Sequence, residues 1–294
     1  MDAPHPSSVP TAANRTPVHV GAVGLVARDL DGLAAYYRDL LRLTELERTP
    51  QRVVLGAGDV ALLELTHRPG ALPDDPGEAG LYHTAFLMPT RADLARWILH
   101  VAKHRVPVTG ASDHDVSEAI YLDDPEGNGV EVYSDRPPER WRRDGKTIFQ
   151  KTDPLDIEAI VREVDPATAA YPAAPGGLRV GHIHLRVGDT TRAEAFYADA
   201  LGLDVTRRRT GATFISSAGY HHHVGANVWH SQGAGLRDAR RAGLGFFTLE
   251  ANDAAALDGL RQRVAATGAA IEPIPGGFAT ADPWGTQVRF VLAP

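Results

Sequence analysis

The sequence predicts an α+β protein built from four βαβββ modules, and an internal repeat is the first observation behind that expectation. Val20–Leu43 (VGAVGLVARDLDGLAAYYRDLLRL) and Val180–Leu203 (VGHIHLRVGDTTRAEAFYADALGL) run in step across every position. Each describes an alternating strand, an Asp-containing turn and an amphipathic helix whose aromatic pair, Tyr36-Tyr37 or Phe196-Tyr197, faces inward. The second observation is another recurring unit. GLYHTAFL at Gly80–Leu87 and GLGFFTLE at Gly243–Glu250 each open a strand, lead into a helix and are followed by a late Asp-Pro turn. The third is length: 294 residues exceed one ordinary domain and suffice to bury a large core.

The elements follow in order. Met1–Pro17 is polar and rich in Pro, Ala and Ser, without the apolar stretch of a secretory signal, so residues 1–17 are expected to be a loose tail. Module A spans 18–66. Module B spans 80–134, with strand Gly80–Leu87, helix Arg91–His104 and the turn Asp124-Pro125-Glu126-Gly127. The segment 135–177, rich in Pro, Arg and Asp, reads as a connector with a short helix at Pro154–Glu163. Module A′ spans 178–230 and module B′ 243–292, the latter with helix Ala254–Gly268 and the turn Asp282-Pro283-Trp284-Gly285. Counted along the chain, this gives a first domain over 18–134 and a second over 178–294.

Composition removes several function classes. Hydrophobic residues are 43% and no apolar run reaches the length of a membrane span. A chain without cysteine has no disulfide, zinc-thiolate site, iron-sulfur cluster or cysteine nucleophile, and fits a cytoplasmic location. A net charge of -7 without a basic block gives no electrostatic reason to expect nucleic acid. Thirteen histidines are many, and they cluster.

This pattern resembles the vicinal oxygen chelate superfamily, which includes glyoxalase I, bleomycin-resistance proteins and type I extradiol ring-cleaving dioxygenases, over nearly all of residues 18–292. The resemblance implies that the modules pair into two vicinal-oxygen-chelate-type pseudo-barrels whose curved sheets enclose a metal pocket. Comparing the four copies then shows which positions still hold ligands. At the first-strand position A has Ala22, A′ His182, B His83 and B′ Phe246; after the Asp-Pro turn B has Glu131 and B′ Arg289. The ligand-capable set is His83, Glu131 and His182, although His184 shares a face with His182 and could compete for the role. Two imidazoles and a carboxylate suit non-heme Fe(II), and Mn(II) can use the same set. All three come from B and A′, so the middle modules are expected to share one pocket and the outer modules a metal-free one.

Two motifs narrow the class. His114, Ile120-Tyr121, Asp124-Pro125, Gly127 and Glu131 match the extradiol signature at permitted spacing, and SEAIYLDDPEGNGVEVYSDRP and SSAGYHHHVGANVW resemble bacterial catechol 2,3-dioxygenases of the two-domain kind. The resemblance implies His223 as acid/base, Tyr121 and His114 as its catalytic partners, and His221 and Asn227 as substrate-binding residues. His222 should point the other way. Trp229 could shape the pocket wall but is expected in the core, and Arg207–Arg209 on a solvated face. The implied reaction is meta cleavage of an aromatic diol by O₂ to a muconic semialdehyde-type product, in a homo-oligomer. A hydroquinone ring-cleaving dioxygenase and a glyoxalase-type lyase or isomerase are the alternatives.

Overall fold

A computed structural model describes residues 11–294, so the part of the expected tail at residues 1–10 lies outside the described residues. Module A supplies strands β1 (Val18–Ala27), β2 (Thr44–Thr49), β3 (Arg52–Ala57) and β4 (Val60–His67) around helix α1 (Leu30–Leu41). Module B supplies β5 (Gly80–Leu87), α2 (Arg91–His104), β6 (Gly110–Asp113), β7 (Ser117–Asp123) and β8 (Gly129–Asp135). The connector carries a small hairpin, β9 (Arg143–Asp144) and β10 (Thr147–Ile148), and the short helix α3 (Ile157–Val161). Module A′ holds β11 (Arg179–Arg186), α4 (Thr190–Ala193, continuing as a wider turn through Glu194–Ala200), β12 (Asp204–Arg209), β13 (Ala212–Ser216) and β14 (Val224–Asn227). Module B′ ends the chain with β15 (Gly243–Ala251), α5 (Ala254–Ala266), β16 (Glu272–Ile274), β17 (Gly277–Ala281) and β18 (Gln287–Leu292).

The helices start where side chains satisfy their free N–H groups. Asp29, Thr90, Asp189 and Asp253 each accept a hydrogen bond from the backbone N–H three residues on. In each module the helix carries the chain back, so that the first and fourth strands pair in parallel.

Two eight-stranded sheets result, in the orders β16-β17-β18-β15-β1-β4-β3-β2 and β12-β13-β14-β11-β5-β8-β7-β6. The first joins B′ to A through the antiparallel pair β1/β15, and the second joins A′ to B through β11/β5. The middle modules therefore share a sheet, as the surviving ligands predict. The domain limits counted along the chain do not coincide with these sheets, because each sheet draws on both halves.

One continuous core contains the inner helix faces and the strand residues turned toward them, among them Leu33, Tyr37, Phe86, Trp97, Val130, Val132, Ile183 and Phe290. A smaller cluster of Ala13, Ala85, Leu87, Ala119, Tyr133, Trp141, Ile148 and Tyr220 lies on the opposite face of the B–A′ sheet. Ala13 and Thr16 are buried, which corrects the expectation of a loose tail for residues 11–17. The reason is local: the short turn Ala13–Arg15 is held down by His223 and Ser217.

Candidate metal centre

Strand alternation decides which side chains meet. On β5, Phe86 enters the main core, and on β8 Val130 and Val132 do the same, which turns His83 and Glu131 to the other face. On β11, Ile183 and Leu185 take the core side and leave His182 and His184 opposite. Antiparallel pairing of β5 with β11 sets His184 across from His83 and His182 across from Ala85, while β8 places Glu131 beside Ala85.

His83, Glu131 and His182 are brought together with their ligand atoms within 4.8 Å of one another, and all three residues are buried. Glu131 Oε2 lies 3.0 Å from His83 Nε2 and 3.3 Å from His182 Nε2. His83 Nε2 nevertheless makes no hydrogen bond among the described residues, although it is buried. A buried lone pair with no donor costs free energy unless a cation shares it. Burial drives the His182 imidazole down to about 4, so it is neutral at ordinary pH. Burial would push the Glu131 carboxyl up, but His182 and His83 beside it hold it well below the usual carboxylate range. A carboxylate with a neutral His182 beside it is a protonation state that suits metal binding, and the set could hold a divalent metal.

The pseudo-symmetry of the sheet also shows where a fourth protein ligand would stand. Ala85 pairs with Glu131 across β5/β8, and His184 pairs with Gly225 across β11/β14. Gly225 has no side chain to offer. A Cβ there would sit 2.9 Å from the His184 ring, which fills the space instead.

Tyr121 and His114 border the same cavity. His114 Nδ1 donates to the Lys151 carbonyl at 2.7 Å, which leaves Nε2 to accept from the Tyr121 hydroxyl at 2.7 Å. Burial, with the Glu131 charge nearby, raises the Tyr121 phenol well above its usual range, so it keeps its proton.

The histidine run requires a correction. His223 lies away from the cavity, with Nδ1 accepting from the Ser217 N–H at 3.2 Å and Nε2 donating to the Ala13 carbonyl at 3.2 Å. Both ring nitrogens are bonded to backbone groups, and neither faces the cavity. His221 is fully buried behind the cavity and donates from Nε2 to Asp135 Oδ1 at 2.9 Å. Its Nδ1 is then an acceptor, 2.8 Å from His222 Nδ1, which must carry the proton. His222 is the one of the three that lines the cavity, its ring centred 4.1 Å from that of His182, with Nε2 bonded to no described residue. Asn227, expected at the substrate, is buried outside the cavity, where its Oδ1 accepts from the Trp229 N–H. The alternation of the run was expected correctly; the face that meets the site was not.

The cavity has a volume of about 820 Å³. Besides His83, Glu131 and His182 it is lined by His184, the competing candidate, by Trp229, and by Tyr82, Phe214, Gln150 and Arg209, which sequence reasoning did not assign to the site. Trp229, expected in the core, is 44% exposed and packs edge-on to Tyr82 with ring centroids 5.2 Å apart. Gln150 comes from the connector, whose composition alone signals only a link.

The outer sheet shows what replaces a metal site. The Arg289 guanidinium lies 3.3 Å over the Phe246 ring, and Glu64 pairs with Arg52 at 2.8 Å. An internal cation and an aromatic ring occupy the positions equivalent to Glu131 and His83.

Comparison with known proteins agrees with this architecture. The chain is 36% identical over 281 residues to a catechol-2,3-dioxygenase of Bacillus subtilis (strain 168), covering 93% of this chain and 97% of that one. A Bacillus subtilis crystal structure superposes with a TM-score of 0.62 at 15% identity, covering 95% of this chain and 86% of the other. Glyoxalase I from Zea mays gives a TM-score of 0.57 at 18% identity, over 95% and 94% of the two chains. The family model for these folds matches residues 18–132 and 179–290, and the chain belongs to the Glyoxalase/Bleomycin resistance protein/Dioxygenase superfamily.

Proposed function

We propose that this chain is an Fe(II)-dependent extradiol dioxygenase that opens a catechol-type ring beside its two hydroxyls, both atoms of O₂ entering a muconic semialdehyde-type product. The observation that carries this reading is the three-ligand set with glycine at the fourth position, which leaves coordination sites for a chelating diol and for O₂. The relationship to a catechol-2,3-dioxygenase over nearly the whole chain supports it. A glyoxalase-type reaction would need only carbonyl polarisation and a carboxylate base, and would leave the histidine relay behind the cavity without a use.

His83, Glu131 and His182 would hold the iron, which supplies Lewis acidity toward the diol and the electron-transfer chemistry that lets O₂ react. His222 faces the substrate with a free Nε2, suited to take a hydroxyl proton and return it during ring opening. Asp135 and His221 fix its tautomer from behind. Tyr121, whose proton goes to His114, presents its hydroxyl oxygen as the acceptor for a substrate hydroxyl. Tyr82, Phe214 and Trp229 enclose the aromatic ring and limit water.

Anaerobic loading with Fe(II), followed by O₂ uptake over a panel of catechols and hydroquinones, tests the reading. Stoichiometric uptake with a yellow product is expected for a catechol. Substituting His83, Glu131 or His182 by Ala should remove bound iron as well as turnover. Iron retention in all three variants, or turnover of hydroquinones alone, would overturn the assignment, and Mn(II) loading separates the two metals.

A further inference from the structure

We infer that the preferred aromatic diol carries an anionic side chain, which Arg209 receives at the mouth of the cavity. This inference rests on the proposed ring-cleavage reading, because that reading fixes the diol end at His83, Glu131 and His182.

Among the described residues, three charged side chains line the cavity: Glu131, Asp123 and Arg209. Glu131 belongs to the ligand set. Asp123 is exposed at the end of β7, near Tyr82, whose phenol it helps to raise. Arg209 is thus the one cation facing a bound molecule, and among the described residues it has no carboxylate partner. Its neighbour Arg208 differs: it pairs with Glu194 at 2.6 Å. Arg209 spends one donor on Thr152, Nη1 to Oγ1 at 3.1 Å, and keeps the rest of its fork.

The residue is also held in place. Arg209 is the last residue of β12, paired with Ala212 across a two-residue turn, Thr210-Gly211. Trp229 packs against that turn: a Cβ on Gly211 would lie 3.2 Å from its indole. The connector also brings Gln150 to the same cavity, its amide nitrogen buried without a hydrogen-bond partner among the described residues. A guanidinium with open donors and an unpartnered amide N–H together suit a carboxylate. Size agrees as well. A cavity of about 820 Å³ is in the range that takes drug-sized ligands, far more than one ring with two hydroxyls needs.

The test compares dihydrocaffeate, a catechol with a propanoate tail, with its methyl ester and with dopamine, using the iron-loaded full chain. The wild type should prefer the acid to the ester in kcat/KM by about tenfold or more, as expected for a charge-assisted hydrogen bond. That ratio should fall toward unity in R209A and fall partway in R209K. Equal use of acid and ester by the wild type, a ratio unmoved by R209A, or preference for dopamine would overturn the inference while leaving ring cleavage intact. If no diol were cleaved, the ring-cleavage reading itself would fail. Quenching of tryptophan fluorescence on titration would then still decide this inference, with tighter binding of acid than ester in the wild type and not in R209A supporting it, and equal binding overturning it.

Discussion

His222 and His223 differ by one position and have opposite surroundings, so they separate chemistry from packing in a single pair of variants. His222 has a free Nε2 on the cavity, whereas both nitrogens of His223 are bonded to the backbone of residues 13 and 217. H222A should lower kcat by about 100-fold to 10,000-fold, the usual loss when a general acid/base is removed, without changing iron content. H223A should instead lower stability by roughly 1 to 3 kcal/mol, because the Ser217 N–H loses its acceptor and a buried ring is removed. Steady-state kinetics with urea unfolding checks both; a H223A enzyme with native stability and no turnover would reverse the assignment. That His83, Glu131 and His182 would converge was legible in the sequence, because the repeat supplied a comparison for each. The face of the histidine run that meets the cavity was not. A run of three histidines has no internal marker of phase, and what turns His223 from the site is a segment some 200 residues distant in the chain.

At the level of elements, metal affinity depends on how closely β8 lies against β5. Gly129 opens β8, and a Cβ there would sit 2.0 Å from the Tyr82 carbonyl oxygen, backbone that cannot rotate away. G129A should therefore force the two strands apart where one carries His83 and the other Glu131. A loss of roughly 1 to 3 kcal/mol is expected, as for overpacking in a core, together with weaker iron retention. Urea unfolding and metal analysis test this, and a G129A protein matching the wild type in both would show that the strands have slack. Helix limits were legible where caps mark them: Arg91–His104 appears as expected because Thr90 caps one end and Arg105 adopts the left-handed conformation at the other, whereas the connector helix expected over Pro154–Glu163 covers only Ile157–Val161, capped by Asp156. The widening of α4 was not. There the Leu201 and Leu203 N–H groups reach carbonyls five residues back, at Phe196 and Ala198, a change no side-chain pattern in the repeat announces.

The whole molecule is braced in two directions. Sheets join A to B′ and B to A′, while helices join A to B and A′ to B′: the Tyr37 hydroxyl donates to Asp124 at 2.9 Å, and the Tyr197 hydroxyl to Asp282 at 2.8 Å. The aromatic pair and the Asp-Pro turn were both legible as repeats, yet their contact was not, since sequence comparison matches copies and does not say which elements touch. Such bracing keeps His182 in the site and His223 outside it buried, and that sets how the metal-free protein responds to acid. Burial lowers His223 to about 3 and His182 to about 4, from an ordinary 6.5. In the unfolded chain both would take up protons near 6.5, so unfolding gains protons as pH falls and stability declines with it. The stabilisation is complete above about pH 6.5 and is lost progressively toward pH 4 for His182 and pH 3 for His223. At 1.36 kcal/mol per unit, His182 alone contributes roughly 3 kcal/mol, a large share of a typical folding free energy of about 5 to 15. Urea midpoints of the metal-free chain should therefore drop steeply between pH 6.5 and 4. Fe(II) at about 100 times its Kd should raise stability at pH 7 by about 2.7 kcal/mol, and less as acid competes for the ligands. A midpoint constant down to pH 4.5 would mean that these imidazoles are already open to water, and the dry site argued for here would be wrong.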